Sequence, residues 1–346
     1  MCNHEPVVDI AFMLETKIRL ILLVLLAAGL TSRTAPADTW RLDANQQWKE
    51  VSAERRDSFL LALANADRFV NTGQAKQTKA SFEAIRKDFP EITGPDFDIF
   101  AEAEVFYCKG KLAKTIRTYD RLLSEHPQSS FRDAALKRQF AIATSFLAGK
   151  KKTVLGLIKL RRYGEGIAIM ENITDRTGFD TVMGIDAATA VAKNYEERDK
   201  WNEAYLKWWE ISLHWQRGPV GRDALLGIAR CKLAIYNSHP EHKRTLYDAS
   251  SLETAKSSYE RLGLLYPDTA AEIGSYKTIR EIDEQLAAKQ LAIGRYYQKV
   301  GNMQAANLYF DMIVRDWKNS KAAETAREKL AENRDLTNDP QTPTEK

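Results

Sequence analysis

A chain of 346 residues is long enough for two ordinary domains or for one extended repeat array. Charged residues make up 28 % of it, and 51 Lys and Arg against 47 Asp and Glu leave a formal net charge of +4. This excess is small and scattered, so the composition excludes a strongly basic nucleic-acid-binding protein. The three cysteines, Cys2, Cys108 and Cys231, form no disulfide framework, and the last two are expected to be small buried side chains.

The amino-terminal region has the features of a secretory signal peptide. Lys17 and Arg19 precede the apolar run Leu20–Leu30, which is shorter than the roughly 20 residues that a membrane-spanning helix needs. Small residues end at Ala37, so cleavage is predicted between Ala37 and Asp38. Residues 1–37 are therefore predicted to be a leader, with translation starting at Met1 or at Met13. The alternative interpretation is a buried amino-terminal helix.

A lipid anchor is not predicted from this leader. A lipoprotein signal would place a cysteine directly after the small residues that end the apolar run. Here Ala27, Ala28 and Gly29 are followed by Leu30, and the first cysteine after this run is Cys108. The mature protein is therefore expected to carry no lipid.

The rest of the chain repeats one pattern. The pattern has six positions, and each spacing is counted from the position before it. A small residue is followed by an aromatic residue after three positions and by a turn residue after four more. A second small residue then follows after five, an aromatic residue after four and an aliphatic residue after three. Four segments match in full: Ala66, Phe69, Gly73, Thr78, Phe82 and Ile85; Ala103, Phe106, Gly110, Thr115, Tyr119 and Leu122; Ala192, Tyr195, Asp199, Ala204, Trp208 and Ile211; and Gly294, Tyr297, Gly301, Ala306, Phe310 and Ile313. The spacings within each half are those of one helix face, and the middle residue is a tight turn.

Two more hairpins are predicted with insertions. The helix Ala224–Tyr236 is separated from its partner, which carries Ala255, Tyr259 and Leu262, by the polar insert Asn237–Ser251. The helix Ala134–Leu147 is separated from a helix at about Ile167–Thr174. In three copies a proline lies eight residues after the second-helix aromatic and marks the same helix end: Pro90, Pro127 and Pro267.

These matches predict an all-α fold. It is a tetratricopeptide-like solenoid of about six helical hairpins, wound as a right-handed superhelix over residues 58–332. Residues 38–57 are predicted to be a lead-in segment, and residues 333–346 a disordered tail. No stretch of useful length shows the alternation of a β-strand.

The insertion Lys150–Arg162 is basic, with apolar residues interleaved. Its cationic residues are Lys150, Lys151, Lys152, Lys159, Arg161 and Arg162. One interpretation is contact with an acidic partner or with a lipid headgroup layer, giving a peripheral membrane contact. The other is an amphipathic insert that packs on its own repeat and leaves its lysines in water.

The helix Trp201–Trp215 contains four tryptophans. Trp201, Trp208 and Trp215 follow heptad-like spacing and are predicted to lie inside. Trp209 points about a hundred degrees away from Trp208 and has no place in the repeat pattern. A contact with the adjacent repeat is favoured over a ligand platform.

No motif in the sequence predicts catalysis. His239 and His242 share the polar insert, but no other ligand completes a metal set. The chain has no phosphate-binding Gly-Lys-Ser/Thr loop and no Gly-x-Ser-x-Gly nucleophile elbow. We therefore predict no catalytic, cofactor or metal site, no small-molecule substrate and no nucleic-acid partner. An enzyme with accessory repeats is disfavoured, because almost no sequence is left over for a catalytic domain.

The concave face of such a solenoid is lined by the first helix of each hairpin. The residue just after the first small position of the pattern is predicted to point into this groove. The four positions are Asp67, Glu104, Lys193 and Arg295. We therefore predict a partner groove that is acidic at the amino end and basic at the carboxyl end.

The last hairpins resemble those of the BamD (YfiO) family of outer-membrane assembly lipoproteins. The family's Y-Y-x-x-x-G-x-x-x-A-A run is matched by Tyr296-Tyr297, Gly301 and Ala305-Ala306, and the Tyr-Pro-Asp that ends its preceding repeat by Tyr266–Asp268. Tyr119–Pro127 shows a weaker similarity. The resemblance implies a periplasmic scaffold that docks on the β-barrel insertase BamA and helps to fold outer-membrane proteins. The chain differs from the family pattern in having six predicted hairpins and no cysteine after its apolar run.

The sequence therefore favours a non-enzymatic, exported protein–protein interaction scaffold at the periplasmic face of the outer membrane. A Tol-Pal-type coordinator of the cell envelope, or another tetratricopeptide adaptor, is the alternative. Coordinators of that type carry an amino-terminal coiled coil, and Asp38–Arg56 shows no sustained heptads.

Overall fold

The computed structural model describes residues 39–42, 48–154 and 158–338, with side chains for 51–151 and 161–334. The predicted leader and its cleavage site at Ala37 and Asp38 lie outside the described residues. The chain forms two compact units, one up to Ala135 and one from Leu136.

The first unit consists of two helical hairpins preceded by a short β-hairpin. Strand β1 (Thr39–Leu42) pairs antiparallel with β2 (Trp48–Val51). The helices are α1 (Ala53–Asn71), α2 (Ala75–Asp88), α3 (Pro95–Cys108) and α4 (Leu112–Glu125). The next helix, α5 (Arg132–Leu147), begins just before the unit ends.

The second unit continues the same architecture. Its elements are β3 (Lys151–Val154), β4 (Ile158–Arg161), α6 (Tyr163–Thr177), α7 (Val182–Glu196), α8 (Trp201–His214), α9 (Gly218–Asn237), a 3-10 helix (Glu241–Leu246), α10 (Ser250–Leu265), α11 (Pro267–Glu272), α12 (Ser275–Lys299), α13 (Met303–Asp316) and α14 (Lys321–Asn338). Consecutive helices from α6 to α10 pack on one another, and α14 packs against α12 and α13.

The predicted hairpins are confirmed. They are formed by α1 with α2, α3 with α4, α5 with α6, α7 with α8, α9 with α10, and α12 with α13. In each second helix that carries the pattern, the small, aromatic and aliphatic positions are buried, as at Ala306, Phe310 and Ile313. The described residues therefore form an all-α array of tetratricopeptide-like hairpins.

The turn position of the pattern has the same backbone conformation in all four full copies. Gly73, Gly110 and Gly301 have φ of 75°, 67° and 81°, and Asp199 has φ of 55°. Residues that carry a side chain are strained in this left-handed region of the backbone, whereas glycine adopts it freely. The chain therefore reverses in the same way between each pair of helices, and Asp199 carries the strain that the three glycines avoid.

Small residues allow close helix contacts in the second unit. A Cβ added at Gly294 on α12 would lie 2.6 Å from the ring of Phe310 on α13. At Gly227 on α9 it would lie 2.5 Å from the ring of Trp208 on α8. The two helices of the last hairpin therefore approach closely at Gly294, and Gly227 plays the same part for α8 and α9.

Two short β-hairpins accompany the helical array and were not predicted from the sequence. The lead-in segment forms β1 and β2, and the basic insertion forms the antiparallel hairpin of β3 and β4, with Lys151 opposite Arg161. Each strand has four residues, too few for a visible alternation in the sequence. The basic insertion thus forms a β-hairpin.

Three predicted helix boundaries were also displaced. Helix α1 begins at Ala53 instead of Ser58, because Ser52 accepts a hydrogen bond from the backbone N–H of Arg55 as an N-cap. Helix α6 begins at Tyr163, four residues before the predicted start. Helix α14 continues to Asn338, so residues 333–338 are helical rather than part of a disordered tail.

Candidate partner-binding surfaces

The four residues predicted to line the partner groove, each on the first helix of a hairpin, do not all reach solvent. Asp67 on α1, Lys193 on α7 and Arg295 on α12 are exposed. Glu104 on α3 is only 2 % exposed, and its carboxylate accepts a hydrogen bond from the hydroxyl of Tyr119 on α4. The prediction that Glu104 points into a partner groove was therefore wrong, because the carboxylate is used inside its own hairpin.

The basic β-hairpin keeps only part of its charge available. Lys150, Lys151 and Arg161 are exposed. Arg162 is buried, with its guanidinium 3.7 Å from the centre of the Phe146 ring and paired with Glu165. The prediction that Arg162 is a surface contact was wrong, since it joins α5 to the start of α6. The side chains of Lys152 and Lys159 lie outside the described residues.

The tryptophans of α8 are arranged differently from the prediction. Trp208 is buried and Trp201 half-buried, as expected. Trp215 is 36 % exposed, because it is the C-cap residue and leaves the helix direction, donating from Nε1 to the carbonyl of Phe179 at 2.7 Å. Trp209 is 47 % exposed.

Trp209 and Trp215 line a groove between α8, the first half of α9 and α10, with a volume of about 510 Å³. We call it the tryptophan groove. Its apolar lining consists of Tyr205, Trp209, Leu213, Trp215, Leu225 and Ile228. Its polar lining consists of Ser212, Gln216, Gly221, Thr254, Ser257, Ser258 and Arg261.

Several polar groups of the groove are already engaged. The hydroxyls of Ser212, Thr254 and Ser257 donate to backbone carbonyls of their own helices at 2.6, 2.8 and 3.1 Å. Within the described part of the chain, the indole N–H of Trp209 and the guanidinium of Arg261 have no hydrogen-bond or ion-pair partner. The groove therefore offers apolar walls and two unengaged donors.

A mostly buried carboxylate joins the helices around the groove. Glu196, at the end of α7, accepts hydrogen bonds from Nε1 of Trp208 and from the guanidinium of Arg230 on α9, the latter at 3.0 and 3.2 Å. Burial, together with this carboxylate, raises the pKa of the Cys231 thiol to about 12. Cys231 is thus an inert core side chain, as the sequence predicted.

A lysine on α8 adds a second ionic contact in the same region. Lys207 is partly buried, which opposes its charged form. Its ion pairs with Glu210 at 2.7 Å and Glu171 at 3.4 Å nevertheless raise its pKa. Lys207 therefore stays protonated at physiological pH, and its ion pair with Glu171 joins α8 to α6.

The described residues contain no group of three or more His, Cys, Asp or Glu placed to hold a metal ion. Across the same residues, none of the helices combines the length and the apolar character needed to cross a membrane. What the surfaces do offer is exposed charge on first helices, a basic β-hairpin and an apolar groove. These are features for binding other molecules.

Hairpins and exposed surfaces of this kind define a helical-repeat interaction scaffold. Residues 225–345 match the family model YfiO, described as outer membrane lipoprotein. The resemblance to the BamD (YfiO) family is thereby confirmed for this part of the chain, which runs from α9 to the carboxyl end. No curated protein matches the sequence.

Two solved structures illustrate the similarity to other proteins. PilW, a widely conserved type IV pilus biogenesis factor, matches with 17 % identity and a TM-score of 0.28, over 78 % of this chain and 97 % of its own. A tetratricopeptide repeat protein from Parabacteroides merdae matches with 13 % identity and a TM-score of 0.32, over 80 % and 99 %. The assignment of the fold here rests on the hairpins themselves.

Proposed function

We propose that this protein is a non-enzymatic, exported scaffold that helps to assemble outer-membrane β-barrel proteins by docking on a BamA-like insertase. The observation that carries the proposal is the match of residues 225–345 to a family of outer membrane lipoproteins. A scaffold of this kind works at the periplasmic face of the outer membrane, where such an insertase can reach it.

The mechanism is the rigid presentation of side chains. Hairpins with buried pattern positions hold the first helices in fixed positions, so the exposed charges of Lys193 and Arg295 are presented at defined places. Single charges on such a surface mainly steer association and add little affinity each. A partner segment with carboxylates opposite these two residues would be guided on to the array before its apolar contacts form. Asp67 would meet a basic group in the same way.

The test is co-purification of the full-length protein from the membranes of the cells that produce it. The proposal predicts that a β-barrel insertase is identified with it by mass spectrometry. With the isolated insertase, Arg295→Glu should slow association and flatten its dependence on salt. Arg280→Glu is the matched control, because it makes the same charge change at another exposed position of α12.

Three results would count against this account. Absence of an insertase from the wild-type preparation would contradict the function. Equal effects of Arg295→Glu and Arg280→Glu would contradict the first-helix surface. Capture that survives Arg295→Glu but is lost when the exposed residues Lys150, Lys151 and Arg161 are changed to glutamate would instead assign the docking site to the basic β-hairpin.

A further inference from the structure

We propose that the tryptophan groove binds a segment of a partner protein that carries large apolar side chains and a carboxylate. The proposal rests on the proposed function as a protein scaffold, but it concerns a different surface. The first-helix charges lie on α7 and α12, whereas the groove is lined largely by the second helices α8 and α10.

Helix α8 carries an exposed apolar stripe. Leu206, Trp209 and Leu213 are 58 %, 47 % and 55 % exposed, and their spacing of three and four residues places them on one helix face. The pattern residues of the same helix, such as Trp208, are buried on another face, so the fold does not use the exposed stripe. Contiguous apolar surface of this kind marks interaction sites, and tryptophan is the commonest residue to dominate their energy.

The charge of the groove determines what this segment must carry. Arg261 is the charged residue in the lining, and Nζ of Lys232 lies 3.9 Å above the ring of Tyr205, another lining residue. On the same helices, Glu210 pairs with Lys207 at 2.7 Å, Glu260 lies 3.8 Å from Lys256, and Asp223 pairs with Arg222 at 2.9 Å. The positive charge at Arg261 is therefore uncompensated. A planar guanidinium beside apolar walls favours a carboxylate, with which it forms two parallel hydrogen bonds.

Hydrogen bonds also connect the walls of the groove in the absence of a partner. The carboxylate of Glu196 joins α7, α8 and α9 through Trp208 and Arg230, and the indole of Trp215 is anchored to the carbonyl of Phe179. Binding to such a surface orders few side chains, which lowers the entropic cost of association. Grooves between two helices commonly receive the apolar face of a third helix. The expected occupant is thus an amphipathic, acidic segment.

The test uses two labelled amphipathic peptides that share a leucine stripe and differ only in their polar face, one with glutamate and one with lysine. Fluorescence anisotropy with the full-length protein should show preferential binding of the glutamate peptide. Arg261→Gln should weaken this binding about tenfold, which corresponds to about 1.4 kcal/mol for one charged contact. Leu213→Ser should weaken the binding of both peptides, because it removes part of the apolar wall.

A charge reversal and two controls sharpen this test. Arg261→Glu should transfer the preference to the lysine peptide. Leu308→Ser on α13 and Arg280→Glu on α12 make matched changes at exposed positions outside the groove and should leave binding unchanged. Thermal unfolding followed by circular dichroism should be the same for all these variants, because none of the substituted side chains is buried.

Equal binding of the two peptides, or a control that matches its groove variant, would overturn the proposal. So would a wild-type protein that self-associates and loses this association with Leu213→Ser, since the occupant would then be a second copy. Failure of the proposed function is seen in a separate experiment: no insertase co-purifies with the wild-type protein, whether or not the peptides bind to the groove.

Discussion

The two compact units are built on one repeat pattern but are stabilised differently. The core of the first unit is mainly aromatic. Phe131 packs against Phe59, Phe97 and Phe100 with ring centroids 6.4, 5.6 and 4.9 Å apart. The ion pairs of this unit, such as that of Arg121 with Glu102, are about half exposed and contribute little to its stability.

The second unit relies on small residues and polar cross-links. Twice, a carboxylate accepts both an indole N–H and a cation from neighbouring helices. Glu196 joins Trp208 and Arg230, while Asp283 on α12 accepts from Trp317 at 3.1 Å and from Lys256 on α10 at 2.7 Å. Aromatic volume thus fills the first unit, and satisfied polar groups fix the helix order in the second.

This difference explains why Trp209 stands out. The indoles of Trp208, Trp215 and Trp317 in the second unit donate to a carboxylate or a backbone carbonyl. Trp209 is exposed and, within the described residues, its indole has no acceptor. Its exposure therefore serves neither the core nor a cross-link. That contrast supports a binding role for Trp209. The difference between the two units can be tested by substitutions in each of them.

The largest expected effect is the loss of a pattern aromatic, which would test whether both units depend on the same positions. Tyr119→Ala in the first unit and Phe310→Ala in the second should each lower the free energy of unfolding by about 3–5 kcal/mol. Both side chains are fully buried, and the hydroxyl of Tyr119 also binds Glu104. Denaturant unfolding provides the measurement, with exposed Tyr296→Ala as the control.

Because the stability of a repeat array is roughly a sum over neighbouring contacts, the damage should stay partly local. A loss below about 1 kcal/mol at both sites would mean that the pattern does not define the core, since buried aromatic residues cost more than that to remove.

A smaller effect is expected from breaking a cross-link of the second unit. Glu196→Ala removes a mostly buried carboxylate that accepts from Trp208 and Arg230, and should lower the free energy of unfolding by about 2–3 kcal/mol. Glu203→Ala removes an exposed carboxylate 3.9 Å from Lys200 and should change it by less than about 0.5 kcal/mol. Similar losses from the two substitutions would show that the cross-link does not distinguish the second unit.

The smallest effect concerns the turns that the two units share. Asp199→Gly relieves a left-handed backbone with φ of 55° and should raise the free energy of unfolding by about 0.5–1 kcal/mol. Gly301→Ala should lower it by about 1 kcal/mol, although no atom lies within 4 Å of the added Cβ. Thermal melts of the two variants should therefore shift in opposite directions. Shifts in the same direction would contradict the role of the turn backbone.

The repeat pattern could be predicted from the sequence because burial recurs at fixed helical spacing. Ala66, Ala103 and Ala192 occupy equivalent positions, and each is fully buried. The pattern could not predict where a polar side chain at the next position finds its partner. Glu104 is buried because Tyr119, fifteen residues later, supplies a hydroxyl to it.

The tryptophan groove shows the same limit more strongly. Leu206, Trp209 and Leu213 follow helical spacing, but only the structure shows that all three are exposed. Arg261, in contrast, lies on the far side of the insert Asn237–Ser251 and reaches the groove only through the packing of α10 on α9. Contacts between residues so distant along the chain depend on tertiary packing, which local periodicity does not encode.

The measurement that tests the central claim most directly is site-specific photocrosslinking from position 295 in the full-length protein, inside the cells that produce it. Position 295 is exposed and belongs to the part of the chain that matches the outer membrane lipoprotein family. We expect a crosslinked product that contains a β-barrel insertase and is absent when the photoreactive residue is placed at the exposed position 280 of the same helix. Crosslinks only to copies of this chain, or only to proteins outside the cell envelope, would contradict it.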